Sequence, residues 1–523
     1  MTRGRATIAC ALAAFCCSGA KGCEQEPTQL VPYPEVLVVV DTDMAVPTLA
    51  DRLQVDLYRP ATEPGGEPTW IYTDSTLQPS PEAWPLSFVV LREELGLPEE
   101  IILRLRLHLD GKTRDNRGER FFSDETLAKF PDVCPIFLDA DTATNGLLYR
   151  GDGAEGVKPV SEPQPNLAID RLIRLRLDAG KQGSVRITLR GACMGVQADL
   201  FGLESCVEGP AREPVEIAVL DPDTSEPPRP SANLGSFPPP APCVSPSAPS
   251  DLPFGDRVCV DGGAFVLGDP TIFFGEVDGF PERLAVLPAL EIDRFEVSVR
   301  RFRAAWSRGL LEDVTPPIAN EGPLATSSTD PLESECTFST AELGREDYPL
   351  NCVTWETARA YCVAMGGDLP TEASWEYVAA ASGRRDQTRY PWGSTEPDCQ
   401  RVVFERNDDV ASNASACLSA GFGVQPLAGA TSDTGDATPV LGVVGMGGNV
   451  REWVRDEYRA YCSACWELAP LLDPRCEGTG TTRRGVRGGD WSRGADSTLA
   501  GARDEGFDET AWSPRVGFRC VYP

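Results

Sequence analysis

Histidine is almost absent from this chain, since His108 is the only one among 523 residues. Histidine-liganded zinc sites, Ser–His–Asp triads and Cys–His dyads therefore cannot be built from residues 109–523. His108 itself follows arginines in a segment with strand periodicity. We expect it on the exposed polar face of a strand, without a catalytic role.

Basic residues are also scarce. Lys and Arg together number 48 against 79 Asp and Glu, which gives a formal net charge of −31. Such a surface repels nucleic acid phosphates and anionic lipid head groups, so both are unfavourable partners. The excess of acid by itself indicates only a well-solvated surface.

Long apolar runs are missing as well. The run at residues 8–17 follows a basic start and is too short to span a bilayer, which is typical of a signal peptide; we place this peptide at residues 1–22. The sequence AKGC, ending at Cys23, resembles the bacterial lipoprotein cleavage box, although its lysine departs from that pattern. We expect an exported bacterial protein. It is either a cell-envelope lipoprotein (outer membrane or periplasm), attached to the membrane only through a lipid on Cys23, or a secreted protein.

Cysteine, in contrast, is abundant, with 18 residues, of which 14 remain when Cys23 and the three in the signal peptide are set aside. An even number in an oxidising compartment is typical of disulfides. Spacing suggests four pairs: Cys193–Cys206, Cys243–Cys259, Cys336–Cys352 and Cys399–Cys417. Cys462 and Cys465 form a CxxC motif without a second CxxC or a nearby histidine, so a disulfide involving Cys476 is favoured over zinc. The partner of Cys134 stays open.

The N-terminal region shows period-two alternation in several short segments, such as Leu103, Leu105 and Leu107 alternating with Arg104 and Arg106. This pattern predicts antiparallel strands with one buried face. We therefore expect a chain with several domains that begins, after a tether at 23–33, with an all-β, sandwich-like domain at 34–220. A proline-rich linker at 221–252 and a second domain at 253–523 follow.

The second domain has fewer periodic segments. A helix is predicted over 299–310, and two more are predicted to start at the N-caps Thr354 and Thr371. Arg487 and Arg519 are expected to anchor buried carboxylates. The remainder of the domain is rich in loops.

Eight motifs in order give the second domain a family resemblance: FVLGD, DRFEVSV, YPLNCVTW, LPTEASWEY, YPWG, GMGGNVREW, VRGGDW and GFRC. The series resembles the formylglycine-generating enzyme (sulfatase-modifying factor) family. The resemblance implies an α+β, modified C-type-lectin-like fold over 253–523. It also implies that Cys362 pairs with Cys520.

The resemblance further implies a structural calcium site at the GNVREW motif. Its ligands would be oxygens of Gly445, Gly448 and Val450 together with the carboxylate of Glu452, a donor set of the kind that calcium uses. The alternative is that Glu452 pairs with a buried arginine or with backbone amides.

Catalytic members of the family bind copper(I) through two cysteines, five residues apart, that follow an RGGS segment. Copper(I) prefers thiolates, but the two positions here hold Arg493 and Thr498, and the serine position holds Asp490. Copper is therefore not expected. Neither is the three-histidine iron of another branch, because the domain has no histidine, and no catalytic residue is assigned.

Charged and aromatic residues occupy the place of the family's catalytic groove: Asp490, Trp491, Arg493, Asp496 and Arg503. They predict either a groove that binds an exported protein, a peptide or a glycan, or a solvated loop held by salt bridges. The predicted function is non-catalytic binding or interaction at the cell envelope. The alternative is an enzyme, of the formylglycine-generating oxidoreductase type, that modifies exported proteins through a divergent site.

Overall fold

The computed structural model describes residues 33–63, 66, 68–91, 99–115, 161–222, 233–244, 256–269, 279, 282–311, 314–327, 330–384, 386–407, 416–421, 435–461, 463–467 and 469–523. The predicted signal peptide, Cys23 with the tether up to residue 32, Cys134 and Cys462 lie outside these residues. Within them, no helix is both long enough and apolar enough to cross a bilayer.

The described residues between 33 and 222, which we call the strand unit, consist mainly of strands. The strands are β1 (Glu35–Thr42), β2 (Arg52–Arg59), β3 (Thr69–Leu77), β4 (Leu86–Leu91), β5 (Glu99–His108), β6 (Thr113–Asp115), β7 (Ser161–Pro163), β8 (Ala168–Leu177), β9 (Gln182–Leu189), β10 (Glu204–Cys206) and β11 (Arg212–Pro214). One sheet has the order β3-β2-β5-β8 and another the order β4-β1-β9. Side chains from both sheets share one hydrophobic core. The mostly-strand architecture expected from the alternation is thus present.

One pairing differs from the predicted antiparallel arrangement. β1 pairs with β4 in the antiparallel sense but with β9 in parallel. Val36, Val38 and Val40 of β1 are all buried. Alternation reports which face of a strand is buried but not the direction of its neighbour, so the parallel pair could not be read from it.

The arginine-bearing face of β5 is buried, which contradicts the prediction that His108 is exposed. Arg104 lies 2.5 Å from Asp170, and Arg106 lies 2.9 Å from Asp56, with all four side chains almost fully buried. His108 is only 1% exposed. A second apolar cluster, which includes Leu200 and partly buried residues around it, covers this side of the sheet. Pairing with buried carboxylates allows arginines on an inner face, and the alternation cannot distinguish this case from an exposed one.

Acid is expected to destabilise the strand unit through His108. Burial lowers the pKa of His108 from 6.5 to about 4. Nδ1 lies 3.0 Å from the carbonyl of Leu109, and Nε2 is buried without a hydrogen-bond partner among the described residues. Between these pKa values the unfolded chain binds a proton that the folded chain does not, so stability falls as pH falls through this window. The shift corresponds to roughly 3 kcal/mol.

The variant His108→Gln removes this titration. Its free energy of unfolding, measured by chemical denaturation, should therefore lose roughly 3 kcal/mol less than that of the wild type between about pH 7 and about pH 4. Parallel pH profiles for the two proteins would contradict the assignment.

Residues 256–523, called the C-terminal unit below, combine short strands, helices and loops. The strands are β12 (Arg257–Val260), β13 (Gly263–Leu267), β14 (Arg283–Leu287), β15 (Leu290–Asp293), β16 (Arg451–Glu457), β17 (Arg483–Arg487), β18 (Arg503–Asp508), β19 (Val516–Gly517) and β20 (Val521–Tyr522), and the helices are α1 (Val299–Ser307), α2 (Trp355–Ala364), α3 (Glu372–Glu376), α4 (Ala416–Ser419) and α5 (Ala464–Glu467). A π-helical turn, Tyr377–Ala381, extends α3. The sheets have the orders β12-β15-β20, β13-β14 and β18-β17-β16-β19.

The predicted helix starts are confirmed by their caps. The hydroxyl of Thr354 accepts from the amide of Thr357, and that of Thr371 accepts from the amide of Ser374. These side chains satisfy amides that a helix start otherwise leaves unpaired. The helices that they position pack against the sheet residues in two apolar cores.

Six disulfides are present in the described residues. Four are the pairs suggested by spacing, and Cys465 pairs with Cys476. Cys362 pairs with Cys520 across 158 residues. The last bond joins α2 to the segment before β20.

The two units contact each other directly. Leu284 of β14 belongs to the core of the strand unit. Lys112 of the strand unit lies 2.5 Å from Glu282. Part of the predicted linker, residues 233–244, also bridges them, since the amide of Phe237 donates to Asp43 and Cys243 is bonded to Cys259. An apolar contact and an ionic contact therefore connect the strand unit to the C-terminal unit, and we call this contact region the joint.

Candidate functional site

The glycine segment 445–453 is fixed by close packing. Gly445 has φ of +77° and Asn449 φ of +70°, so the backbone enters the left-handed region twice. A Cβ at Gly447 would lie 2.5 Å from the ring of Trp392 and 3.2 Å from the carbonyl of Thr498. Glycine is needed here because the backbone touches both neighbours. This packing brings the segment against the position that the family resemblance assigns to a catalytic cysteine.

Glu452 forms a buried ion pair with Arg519, and both side chains are 0% exposed. Nε and Nη2 of Arg519 donate to its carboxylate over 2.5–2.9 Å, and the indole of Trp375 donates over 2.8 Å. Arg519 also donates to the carbonyls of Asp293 and Val444. Arg519 is thus the structural anchor expected from the sequence.

The predicted calcium ligands do not fit that ion. Calcium requires about six to eight oxygen ligands, but the carboxylate of Glu452 is taken by Arg519 and Trp375. A Cβ at Gly445 would lie 2.8 Å from a carboxyl oxygen of Glu296, so that backbone is already packed. In the described part of the chain, no three His, Cys, Asp or Glu side chains are arranged to hold a metal. We assign no metal to the GNVREW motif, including Gly448 and Val450.

Two further carboxyl groups lie in this buried region. Burial raises the pKa of Glu296 to about 8 and that of Asp436 to about 7, while Arg519 opposes both shifts. The amide of Asn449 donates to Glu296 over 3.1 Å. A single guanidinium balances the charge of Glu452, so burial favours the neutral form of the other two groups.

Arg503 is a core residue and not part of a groove. Its side chain is 1% exposed, and its Nε lies 2.5 Å from Glu372. Arg487 lies beside it and donates to Glu376. This network joins β17 and β18 to α3, which corrects the prediction for Arg503.

Asp490 and Trp491 are also buried, at 0% and 1% exposure. A carboxyl oxygen of Asp490 lies 2.9 Å from Arg451. The amide of Trp491 donates to the carbonyl of Asn449, and its ring packs against Val403. A Cβ at Gly488 would lie 2.7 Å from the carbonyl of Met446, so this segment packs against the glycine segment. Because both residues are buried, neither lines the predicted groove.

Arg493 and Thr498, at the family's cysteine positions, are both engaged. Arg493 is 28% exposed; its Nη2 lies 3.0 Å from Asp504 and its Nε 3.7 Å from Asp490. Thr498 is buried, and its hydroxyl donates to the carbonyl of Ala495 over 2.7 Å. A charged guanidinium and a bonded hydroxyl are not soft metal ligands.

An accessible surface lies next to Thr498, and we call it the Trp392 surface. It contains a cavity of about 200 Å³ lined by Trp392, Thr395, Glu396, Asp398, Arg401, Val402, Gly435, Ala437 and Pro439. The rings of Trp392 and Tyr390 stack at 5.1 Å with an interplanar angle of 8°. Tyr390 donates to Glu396 over 2.7 Å. In the sequence, YPWG contributes only to the family resemblance, although the acidic residues Glu396 and Asp398 follow it closely.

Asp496, the remaining predicted groove residue, is exposed near this surface. Burial and the hydrogen bond to Glu396, with a smaller contribution from the charge of Asp496, raise the pKa of Tyr390 to about 12. Of the five predicted groove residues, Arg493 and Asp496 are thus the accessible ones.

Comparison with known proteins agrees with the motif series. Residues 244–523 match the family model of the sulfatase-modifying factor enzyme 1-like domain. The chain is 30% identical over 259 residues to the formylglycine-generating enzyme of Thermomonospora curvata, covering 43% of this chain and 79% of that protein. It is 34% identical over 115 residues to the bovine (Bos taurus) inactive C-alpha-formylglycine-generating enzyme 2, covering 22% of this chain and 35% of that protein.

Among solved structures, PvdO from Pseudomonas aeruginosa is similar with 19% sequence identity and a TM-score of 0.36, covering 54% of this chain and 98% of that chain. The matched family model spans more than half of the 523 residues. Through residues 244–523, this chain belongs to the sulfatase-modifying factor (formylglycine-generating enzyme) family.

Proposed function

We propose that this chain is an exported cell-envelope protein that uses the family's fold to bind a partner and does not oxidise cysteine. The observation that supports the proposal most directly is the state of Arg493 and Thr498. The first is held by Asp490 and Asp504, and the second is buried and bonded within its own turn. Copper(I) chemistry at these positions would require two thiolates.

Binding is assigned to the Trp392 surface. A partly exposed indole offers an apolar face, while Glu396, Asp398 and Arg401 offer hydrogen-bonding groups around it. An apolar face with a few convergent polar groups is the usual composition of a ligand site. An exported peptide or glycan fits this composition.

Truncation of the indole should weaken partner binding. Trp392→Ala in the full chain is expected to lose at least about tenfold in affinity for any ligand that peptide and glycan arrays identify, because stacked aromatic contacts dominate such sites. Trp306→Ala is a matched control, since Trp306 is 38% exposed on α1. Equal loss in both variants, or no loss in Trp392→Ala, would contradict the assignment.

Copper(I) titration of the full chain tests the proposal that this protein does not oxidise cysteine. We expect no stoichiometric copper(I) binding in competition with a chelator, and no oxidation of a sulfatase-type cysteine peptide followed by mass spectrometry, because Arg493 and Thr498 supply no thiolate. The Thermomonospora curvata enzyme serves as the positive control. Stoichiometric binding together with peptide turnover would disprove the proposal.

An enzyme acting through a divergent site is the second candidate. Its support is the similarity to the Thermomonospora curvata enzyme over 79% of that protein. A mass change in an exported-protein substrate without copper would favour this candidate over binding alone.

Export and a lipid at Cys23 complete the proposal, and the basic and apolar start of the chain supports them. Detergent-phase partitioning checks the anchor: the wild type should enter the detergent phase and Cys23→Ser the aqueous phase. Partitioning of the wild type into water would instead favour a secreted protein.

A further inference from the structure

A second cavity lies at the joint between the strand unit and the C-terminal unit. Its volume is about 470 Å³, within the usual range for small-molecule sites. Leu109 and Lys112 line it from the strand unit, and Phe265, Ala381 and Arg384 line it from the C-terminal unit. The family match begins at residue 244, so one wall lies outside the family's domain. The described lining residues of this cavity and of the Trp392 surface are different.

Arg384 places a positive charge at this cavity without a matching carboxylate. Its Nη1 donates to the carbonyl of Ala379 and to the hydroxyl of Thr388, and its Nη2 donates to the carbonyl of Pro391 over 2.8 Å. All three acceptors are neutral. Nε is buried without a hydrogen-bond partner among the described residues. One N–H of Nη2 therefore remains for a ligand, since that nitrogen carries two.

Burial makes this charge costly. It lowers the pKa of Arg384 to about 10. The neighbouring arginines behave differently: Arg487 donates to Glu376, and Arg503 lies 2.5 Å from Glu372. An anion close to Arg384 would relieve the cost of burying its guanidinium.

Most of the other charged groups that line the cavity already have a partner, including Arg389, which lies 3.6 Å from Glu396. Lys112 and Glu282 form an ion pair at 2.5 Å, and the charge of Asp269 interacts with that of Glu282. Glu376 is paired with Arg487. Asp386 is exposed at the rim. No described carboxylate lies within salt-bridge distance of Arg384.

A backbone irregularity supports a role for this wall. Ala380 and Ala381, which line the cavity, belong to the π-helical turn Tyr377–Ala381 that extends α3. Such turns are rare and are frequent at functional sites. The turn ends just before Arg384, whose Nη1 donates to the carbonyl of Ala379 within the turn.

We propose that the cavity at the joint binds a carboxylate ligand, with Arg384 receiving the carboxylate and partly exposed apolar side chains such as Leu109 and Val266 holding the body of the ligand. A charge-assisted hydrogen bond from a partly desolvated guanidinium is stronger than one between neutral groups. The carboxylate can belong to a free organic acid or to the C-terminus of a peptide. Since both units form the walls, ligand binding also stabilises their joint.

Calorimetric titration of the full chain distinguishes the two sources. The probes are hippurate, for a free organic acid, and the peptide acetyl-Ala-Ala-Phe with a free C-terminal carboxylate. Each is paired with its neutral amide. We expect the carboxylate form of one probe to bind at least about tenfold more tightly than its amide, because the amide lacks the charge.

Variants then locate the site. Arg384→Gln should weaken carboxylate binding at least about tenfold, whereas Arg300→Gln, at an exposed arginine of α1 paired with Asp347, should leave it unchanged. Thr48→Trp narrows the cavity from the exposed side of the strand unit without touching the bonds of Arg384, and should also weaken binding.

The proposal fails if both carboxylates bind no better than their amides, or if Arg384→Gln and Thr48→Trp retain wild-type affinity. A loss in Arg384→Gln accompanied by full affinity in Thr48→Trp would also overturn it, because the site would then lie outside the cavity. Loss of binding to the Trp392 surface affects none of these outcomes, so the two proposals fail separately.

Discussion

Replacing Glu452 by glutamine is expected to destabilise the C-terminal unit by about 3–5 kcal/mol, because it breaks the fully buried ion pair with Arg519. Both side chains are 0% exposed. Since a folded domain is stable by only about 5–15 kcal/mol, this one change removes a large part of the total. Chemical denaturation of wild type and variant gives the difference.

Two further variants separate charge from packing. Glu452→Met combined with Arg519→Met removes both charges, so it should destabilise less than Glu452→Gln alone, even though some carbonyls lose their donor. Asp347→Asn, which breaks the exposed pair with Arg300, should leave the free energy of unfolding nearly unchanged. If Glu452→Gln were as mild as Asp347→Asn, the buried pair would not stabilise the unit as described.

Removal of the disulfide between Cys362 and Cys520 is the second large effect. The two residues are 158 apart in sequence. Opening a loop of that length frees the unfolded chain enough to lower the free energy of unfolding by about 5 kcal/mol on the chain-entropy model. The variant Cys362→Ala with Cys520→Ala, compared with the wild type in denaturant, measures this loss.

The disulfide between Cys399 and Cys417 is the matched control, since its residues are only 18 apart. On the same model its removal should lower the free energy of unfolding by about 3 kcal/mol. The reverse order, with the shorter loop mattering more, would show that native contacts and not loop length determine the effect.

Local signals predicted the local features of this fold. The caps Thr354 and Thr371 stood at the helix starts because a side-chain oxygen must satisfy free amides there, and this need depends only on neighbouring residues. Close cysteine pairs such as Cys336 and Cys352 were predictable for a similar reason. The bond between Cys362 and Cys520 came instead from the family resemblance, because no local pattern links residues so far apart.

The burial of Arg487 and Arg519 was predicted from the sequence, but that of several other charged residues was not. The pattern of β5 placed Arg104 and His108 on a polar face, and only the cover over that face makes them interior. Asp490 and Arg503 were likewise expected in a groove. In the structure, Arg451 and Glu372 neutralise them in the core. A charge says nothing about its partner until the chain brings both together.

The two large apolar cores of the C-terminal unit are complete only when residues 516–522 are in place. β20 adds to β15 at the edge of its sheet, β19 adds to β16, and Arg519 and Cys520 lie between them. During vectorial synthesis, the C-terminal unit, which begins at residue 256, can therefore complete its fold only after residues 516–522 have been made. Translocation through a membrane channel requires an unfolded chain. If the chain is exported as proposed, this delay keeps the C-terminal unit unfolded, and so able to pass the channel, until β20 has been made.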